Sequence, residues 1–306
     1  LVGIAPLMIS GQKIEFIGTP LIDYADFIIS EEKRSVLDAF YSHLLLKKKW
    51  KSMHFDEVPQ SSATLHFSKK FFEGKAIYFQ TCFANECLSL DLKTINWDQL
   101  SKIIDTAEVR RGERILQREG VMEVKQVDDP AEVSDILQVL YGQHVGWWKR
   151  KGAPSMFSDK NYGSFFDTLS VDLMHDKWLH LWVILLDKKP IAIHYGLHYN
   201  NRYLGFLGSY EHSYARASLG GILLKHSFER YFTQKLPTID LSRGSEPYKL
   251  HYSNKRSINY SIIINRSFIG YAMEMTYQSI KKKIMQRKNL HAFITKYRNK
   301  IALAFD

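Results

Sequence analysis

The sequence predicts a mixed α/β fold, with central mixed sheets flanked by helices, and three observations predict it. From Gly120 onward the apolar periodicity reads strand, helix, helix, three strands, helix, strand. The first half carries strand composition around helices at 30–46 and 97–118. The 306 residues, 45% hydrophobic and 13% aromatic, suffice for about two domains with real cores. The expected organisation is a domain over 1–118, a second over 119–265 and a basic helical tail over 266–306.

Each element follows from local chemistry. Met8–Ile17 reads as a hairpin that turns at Ser10-Gly11. Ser30-Glu-Glu-Lys opens a helix to Leu46, because serine accepts a free N–H and acids favour the positive end of the dipole. Lys51–Val58 reads as a strand, Ser61-Ser62 starts a short helix, and Ala76–Leu92 has strand composition. Asn96-Trp97-Asp98 caps one long helix that stops at Gly120. Val121–Val127 is a strand, and Asp128-Asp-Pro starts a helix with Val133, Ile136, Leu137 and Leu140 on its apolar face. Phe165–Met174 is helical. Trp178–Leu186, Pro190–His198 and Tyr203–Ser209 follow as strands. Ser218-Leu-Gly220-Gly221 then opens a helix with apolar residues at helical spacing.

Composition narrows the function. No apolar run approaches the roughly 20 residues of a membrane-spanning helix, and the start lacks the pattern of a signal peptide. Cys82 and Cys87 are spaced as neither a redox motif nor a zinc knuckle, so reduced thiols and a cytoplasmic protein are expected. The net charge is +10, but nine Lys/Arg from Arg266 onward face only Glu274 and Asp306. The charge therefore belongs to the tail, and the body is nearly neutral. A basic amphipathic tail suits an anionic membrane face, or simply packs one apolar side on its own domain.

The residues 203–252 carry the chemistry. A glycine-opened helix after a strand offers unbonded N–H groups and a positive dipole end, which suits a phosphate or pyrophosphate; the plainer reading is a helix start packed on the sheet. The polar cluster Asp240, Arg243, Glu246 and Lys249 lies just past the next strand. Together these features suggest a transferase holding a phosphate-bearing donor beside a polar acceptor pocket. His194 and His198 share one face of a strand, but no third ligand appears at useful spacing, so no metal is expected. His144 and Trp148 share one helical face and line an acceptor pocket or pack inward. Arg110, Arg111 and Arg114 suit an anionic acceptor, or offset the negative end of a helix dipole.

These blocks resemble a known family. Gly18-Thr-Pro-Leu-Ile-Asp23-Tyr24-Ala-Asp26-Phe27, the arginine-rich helix end at 110–120, Gln143-His144…Trp148-Lys-Arg-Lys-Gly152, Pro190-Ile-Ala-Ile-His194-Tyr-Gly196, the 208–220 loop and Asp240–Lys249 carry the resemblance. The chain is similar to the acetyltransferases associated with bacterial cellulose biosynthesis (CelD/BcsL-like). They belong to the GNAT acyltransferase superfamily and are related to FemAB-type aminoacyl transferases. The resemblance implies tandem GNAT-like domains, the first degenerate, and acetyl-CoA or another acyl-CoA as co-substrate without a metal. It places Arg216, Ser218, Gly220 and Gly221 at the pyrophosphate.

Acyl transfer also needs a polarised carbonyl and a proton acceptor. Asp240 or Glu246 as base, Arg243 as anion clamp and Lys249 at the carbonyl would supply them. A structural ion-pair network is the competing reading. Tyr210, among the loop aromatics His212 and Tyr214, could serve as acid or base. Arg110, Arg111, Arg114, His144, Trp148 and His194 would contact the acceptor in a cleft between the halves. That acceptor is expected to be a small molecule, sugar nucleotide or glycan precursor. Two rivals remain. One is a FemAB-like transferase using aminoacyl-tRNA, although the body charge disfavours nucleic acid. The other is a non-catalytic part of a polysaccharide synthase, docked through the tail at the inner face of the membrane.

Overall fold

The computed structural model describes residues 1–280 except Glu31, Glu32 and Lys48. The acids expected to favour the first helix, and the basic residues Lys281, Lys282, Lys283, Arg287, Lys288, Lys296, Arg298 and Lys300 of the expected tail, lie outside the described residues. In chain order the elements are β1 (Gly3–Ile4), β2 (Leu7–Ser10), β3 (Lys13–Phe16), β4 (Ile28–Ile29), α1 (Lys33–Leu46), β5 (Ser52–Pro59), α2 (Ala63–Phe72) and β6 (Tyr78–Asp91). They continue with α3 (Trp97–Ile104), α4 (Ala107–Glu119), β7 (Met122–Val127), α5 (Pro130–Arg150), α6 (Lys160–His175), β8 (Leu179–Leu186), β9 (Lys189–Tyr199) and β10 (Arg202–Tyr210). The remainder are α7 (Leu219–Thr233), β11 (Thr238–Arg243), α8 (Pro247–His251) and β12 (Lys255–Asn265), and residues 268–280 are helical. Among the described residues, no helix is long and apolar enough to cross a membrane.

The chain divides into two compact units, one of residues 1–85 with 257–306, the other of Glu86–Arg256. The expected boundary near 118 falls at the end of α4, within the second unit. In the first unit β2–β3–β5–β12 are hydrogen-bonded neighbours, with β3 and β5 parallel and β5 and β12 antiparallel. The β2–β3 hairpin turns at Gly11, whose φ of 62° is the left-handed conformation that favours glycine. Its core is aromatic: Phe16, Phe27, Tyr41, Phe55 and Phe72 are buried together.

The second unit is a sheet in the order β11–β10–β9–β8–β7, preceded by the end of β6. Only β10 and β11 are parallel; the other pairs are antiparallel. Because strand side chains alternate, the sheet has two apolar faces. Leu181, Val183, Ile193 and Tyr195 pack with Ile136, Leu137 and Leu140 of α5 and Phe166 of α6. Trp182, Ile184, Ala192 and Tyr203 pack on the other side with Leu223, Phe228 and Tyr231 of α7 and with Val109 and Leu116 of α4.

The long helix expected from Asn96 to residue 118 is two helices. Asn96 and Gln99 form a reciprocal capping box on α3, as the sequence indicates. Thr106 then accepts the Val109 N–H at 3.2 Å and starts α4. Ile104 and Val109 are both buried, so the break lets each helix turn an apolar face inward. Cys82 is half-buried and Cys87 buried.

Candidate active site

The parallel pair β10–β11 is registered over only three residues, Arg202↔Thr238, Tyr203↔Ile239 and Leu204↔Asp240. β10 continues to Tyr210 without β11 beside it. A bulge between Gly205 and Leu207 bends β10, and a second irregularity lies between Asp240 and Arg243 on β11. Bulges interrupt pairing and re-aim side chains. The two strands therefore splay beyond residues 204 and 240, which leaves β10 backbone groups without a ladder partner on that side. Gly208, within the splay, is exposed.

A 3-10 turn (His212–Ala217) links β10 to α7. Ser218, the N-cap of α7, has φ 49° and ψ 42° and makes no side-chain cap hydrogen bond. The amides of Leu219, Gly220 and Gly221 are those that an α-helix leaves without an intrahelical acceptor. Gly220 is exposed, and a Cβ there would meet nothing within 4 Å. Gly221 faces inward, where a Cβ would lie 2.9 Å from Val109 Cγ2. The turn is backed by α4: a Cβ on Gly112 would lie 2.0 Å from the Ala217 carbonyl oxygen, so only glycine admits this approach. The expected cradle residues Ser218, Gly220 and Gly221 thus occur together at a helix start, with the exposed Arg216 just before them. These residues fit the diphosphate of an acyl-CoA: amides without an intrahelical acceptor, a positive dipole end and open space at Gly220.

α4 also locates the three arginines. Arg110, Arg111 and Arg114 lie on its exposed side, opposite Val109, Gly112 and Leu116. Arg110 is ion-paired with Asp105 at 3.0 Å. A second set of pairs joins α4 and α7: Lys225 Nζ lies 3.1 Å from Glu113 and 2.9 Å from Asp105. Hydrogen bonds from Lys225 and Arg110 hold the Asp105 carboxyl below the usual carboxylate range. Arg111 adjoins Gly112, so its charge sits on the helix that backs the cradle.

The cluster 240–249 is tied together by ion pairs and hydrogen bonds, the structural arrangement that competes with the catalytic roles expected for Asp240 and Lys249. Asp240 is fully buried, ion-paired with Arg202, and accepts the Ser242 N–H at 2.7 Å. Lys249 is 6% exposed and donates to the Arg243 carbonyl at 2.6 Å and to Glu246 at 3.1 Å. It clamps the turn in which Ser242 and Gly244 have φ of 61° and 106°. Glu246 is largely exposed, and Arg243 is half-buried. Tyr210 ends β10 and packs against the α7-side core.

His144 and Trp148 do meet, but they satisfy each other. Trp148 Nε1 donates to His144 Nε2 at 3.0 Å, and His144 Nδ1 lies 2.7 Å from Ser155 Oγ. With Nε2 accepting, Nδ1 donates to Ser155, and the ring is neutral. Burial pushes its pKa down, in agreement. Both ring nitrogens are used, and they tie the end of α5 to Ser155.

His194 is the member of the expected set that reaches the splay. A Cβ at Gly205 would sit 3.2 Å from its Cε1 and Nε2, and one at Gly208 would sit 3.8 Å from its Cδ2. Its Nδ1 lies 3.1 Å from the Tyr203 hydroxyl. Gly196 admits that tyrosine, since a Cβ there would lie 2.2 Å from the hydroxyl. Burial lowers the His194 pKa to about 4. Among the described residues no group of three or more His, Cys, Asp or Glu could hold a metal. Nothing local in the sequence pairs His194 with Tyr203, Tyr231 and His180; the glycines at 196, 205 and 208 are the available signal, because strand glycines mark close approaches.

Comparison with known proteins agrees with this geometry. Residues 106–250 match the model of the acetyltransferase (GNAT) domain family. No curated protein sequence matches the chain. The fold is similar to L-PGS from Bacillus licheniformis at a TM-score of 0.60, with 13% identity over 90% of this chain and 84% of that one. It is similar to the C-terminal domain of an Agrobacterium fabrum protein assigned to the lysylphosphatidylglycerol synthetases, at a TM-score of 0.60 and 13% identity over 88% and 83% of the two chains. FemX gives a TM-score of 0.54 and 10% identity over 80% and 82%. These identities establish a shared fold. Residues 106–250, with their splayed strand pair and open helix start, thus match an acetyltransferase (GNAT) domain, and the protein is an acyltransferase.

Proposed function

We propose that the protein transfers an acyl group from acyl-CoA to an amine or hydroxyl of a small, anionic acceptor, such as a sugar nucleotide or glycan precursor. GNAT domains use acyl-CoA, and the observation that carries the reading is the α7 start: open amides and an unfilled Gly220 beside splayed strands. The diphosphate would lie on the amides of 219–221, with Arg216 and Arg111 as counter-charges. The pantetheine would hydrogen-bond to the unpaired edge of β10, as a strand does to a sheet edge. Attack is direct: the acceptor nitrogen or oxygen bonds to the thioester carbon, the C–S bond breaks, and the thiolate takes up a proton. The acceptor class rests on the resemblance to the cellulose-associated acetyltransferases. That acceptor chemistry points to the cytoplasmic side of an envelope assembly system, with the basic residues beyond 280 as contacts for a membrane or synthase.

The test is Gly220→Asp. Nothing lies within 4 Å of a Cβ added there, so the new side chain starts into open space. A carboxylate at the diphosphate position should weaken acetyl-CoA binding by about tenfold or more, measured by calorimetry, with an unchanged melting temperature. Unchanged affinity would remove the cradle from the reading. A second reading, transfer from aminoacyl-tRNA, is favoured by the fold similarity to FemX and L-PGS. It predicts tRNA binding that falls steeply with salt and no calorimetric response to acetyl-CoA.

A further inference from the structure

Beneath α7 the sheet carries a line of uncharged polar rings. His180 of β8, His194 of β9 and Tyr203 of β10 lie on one face, and Tyr231 of α7 closes over them. His194 Nδ1 is 3.1 Å from the Tyr203 hydroxyl. The Tyr203 and Tyr231 rings pack together, with centroids 4.5 Å apart. The Tyr231 hydroxyl is 2.9 Å from His180 Nδ1 and accepts the Trp182 Nε1–H at 2.9 Å. Tyr203 is 0% and Tyr231 1% exposed, so the middle of the line is dry. One end, His194, abuts Gly205 and Gly208 at the splay. The other end, His180, stacks near His198 at 4.9 Å.

A buried chain of four polar rings is an expensive way to fill a core that leucines would fill. The cost is reasonable where hydrogen bonds polarise one another and a single arrangement is fixed. Trp182 has only a donor, so it directs Tyr231 oxygen to accept from it. One consistent direction gives the Tyr231 proton to His180 Nδ1 and has the Tyr203 oxygen accept from His194 Nδ1–H, with the Tyr203 proton turned toward Tyr231. This direction leaves the His194 Nε2 lone pair facing the splay.

We propose that His194 Nε2 takes the proton of the attacking acceptor, and that Tyr203, Tyr231 and His180 are positioning residues that hold its tautomer. The inference rests on the acyl-CoA reading above. As the acceptor N–H or O–H adds to the thioester carbonyl, its proton moves to Nε2. The C–S bond then breaks, and the same proton passes to the departing sulfur, so His194 returns to its neutral form. Burial keeps the imidazole unprotonated at neutral pH, in agreement. A weak base suffices, because an attacking amine becomes cationic on addition and gives up its proton readily. The groups facing the line are Tyr203, Tyr231, Trp182, His198 and Arg230; of these, His198 and Arg230 lower the His180 pKa after burial itself.

The tautomer is tested first, on the wild-type protein, by long-range proton–nitrogen NMR of its histidines. The expected spectrum has His194 neutral at pH 7 with Nδ1 protonated; protonation at Nε2 instead would overturn the proposal. Turnover is read next as thiol released from acetyl-CoA, with hydroxylamine as a generic amine acceptor. His194→Gln should lower kcat about 100-fold with KM for acetyl-CoA unchanged, and imidazole should restore part of the rate to His194→Ala. Tyr203→Phe should lower kcat about tenfold and mix the two His194 tautomers. A folded His194→Gln variant with kcat within about threefold of wild type would sink the assignment, as would a Tyr203→Phe variant whose tautomer is unchanged. A wild-type protein that neither binds acetyl-CoA nor releases thiol refutes the donor reading instead, and the NMR result stands apart from it.

Discussion

Two polar groupings flank the β10–β11 pair, and they are built on opposite principles. The 240–249 segment is charged and conspicuous in sequence, yet its charges are spent on one another: Asp240 on Arg202 and on a backbone amide, Lys249 on the Arg243 carbonyl and Glu246. The ring line His180–Tyr231–Tyr203–His194 is neutral and scattered over fifty residues, yet one end opens at the splay. The difference teaches that charge density marks where a loop must be tied down, while reactivity needs an atom left over after the tying. Charged groups buried without water must be paired. A neutral imidazole can be half-satisfied at Nδ1 and remain available at Nε2.

This contrast can be broken by mutation. Asp240→Asn should be the largest stability effect. It leaves the Arg202 guanidinium beside a neutral amide in a site where the carboxylate is 0% exposed. Because Arg202 itself reaches solvent, the loss should be about 2 kcal/mol rather than that of a fully buried pair. A melting-temperature fall of several degrees is expected, with kcat per folded molecule within about threefold of wild type. Retained stability with a hundredfold loss of kcat would return Asp240 to the chemistry. Lys249→Met should cost somewhat less, about 1–2 kcal/mol, because methionine keeps the apolar stem and loses the bond to the Arg243 carbonyl. Denaturant unfolding measures this. The same variant with wild-type stability and no turnover would show the ammonium acting on the thioester.

Much of the second unit was legible in the sequence because its signals are local. The strand–helix order from 122 to 243 follows periodicity, and Asp129-Pro130 and Asn96 cap helices by side-chain geometry that any chain repeats. Ser218-Leu-Gly220-Gly221 marked the open helix start for the same reason. The break at Asp105-Thr106 was hidden inside a run of helix-forming residues, and only the inward turn of both Ile104 and Val109 reveals it. Glycine's role at 112 was hidden too, since its reason is the Ala217 carbonyl, more than a hundred residues away. The ring line was illegible because its members come from β8, β9, β10 and α7, and each alone reads as ordinary core.

A pH dependence of stability separates the two groupings most cleanly. His180 and His194 have pKa values lowered from 6.5 to about 4, in both cases chiefly by burial. Between those values the unfolded chain binds protons that the folded chain refuses, so stability rises with pH through this window. It is complete above about pH 6.5 and is lost as pH falls toward 4. The lowered Asp105 carboxyl acts in the same sense but only below its ordinary value of 3.8, outside the window. Melting temperature should therefore fall by several degrees from pH 7 to pH 4.5, and His180→Phe, which keeps a ring in place, should make that slope shallower. A wild-type curve flat across the window would mean that the histidines are not held neutral by the fold, and the distinction between tied charges and an available imidazole would fail with it.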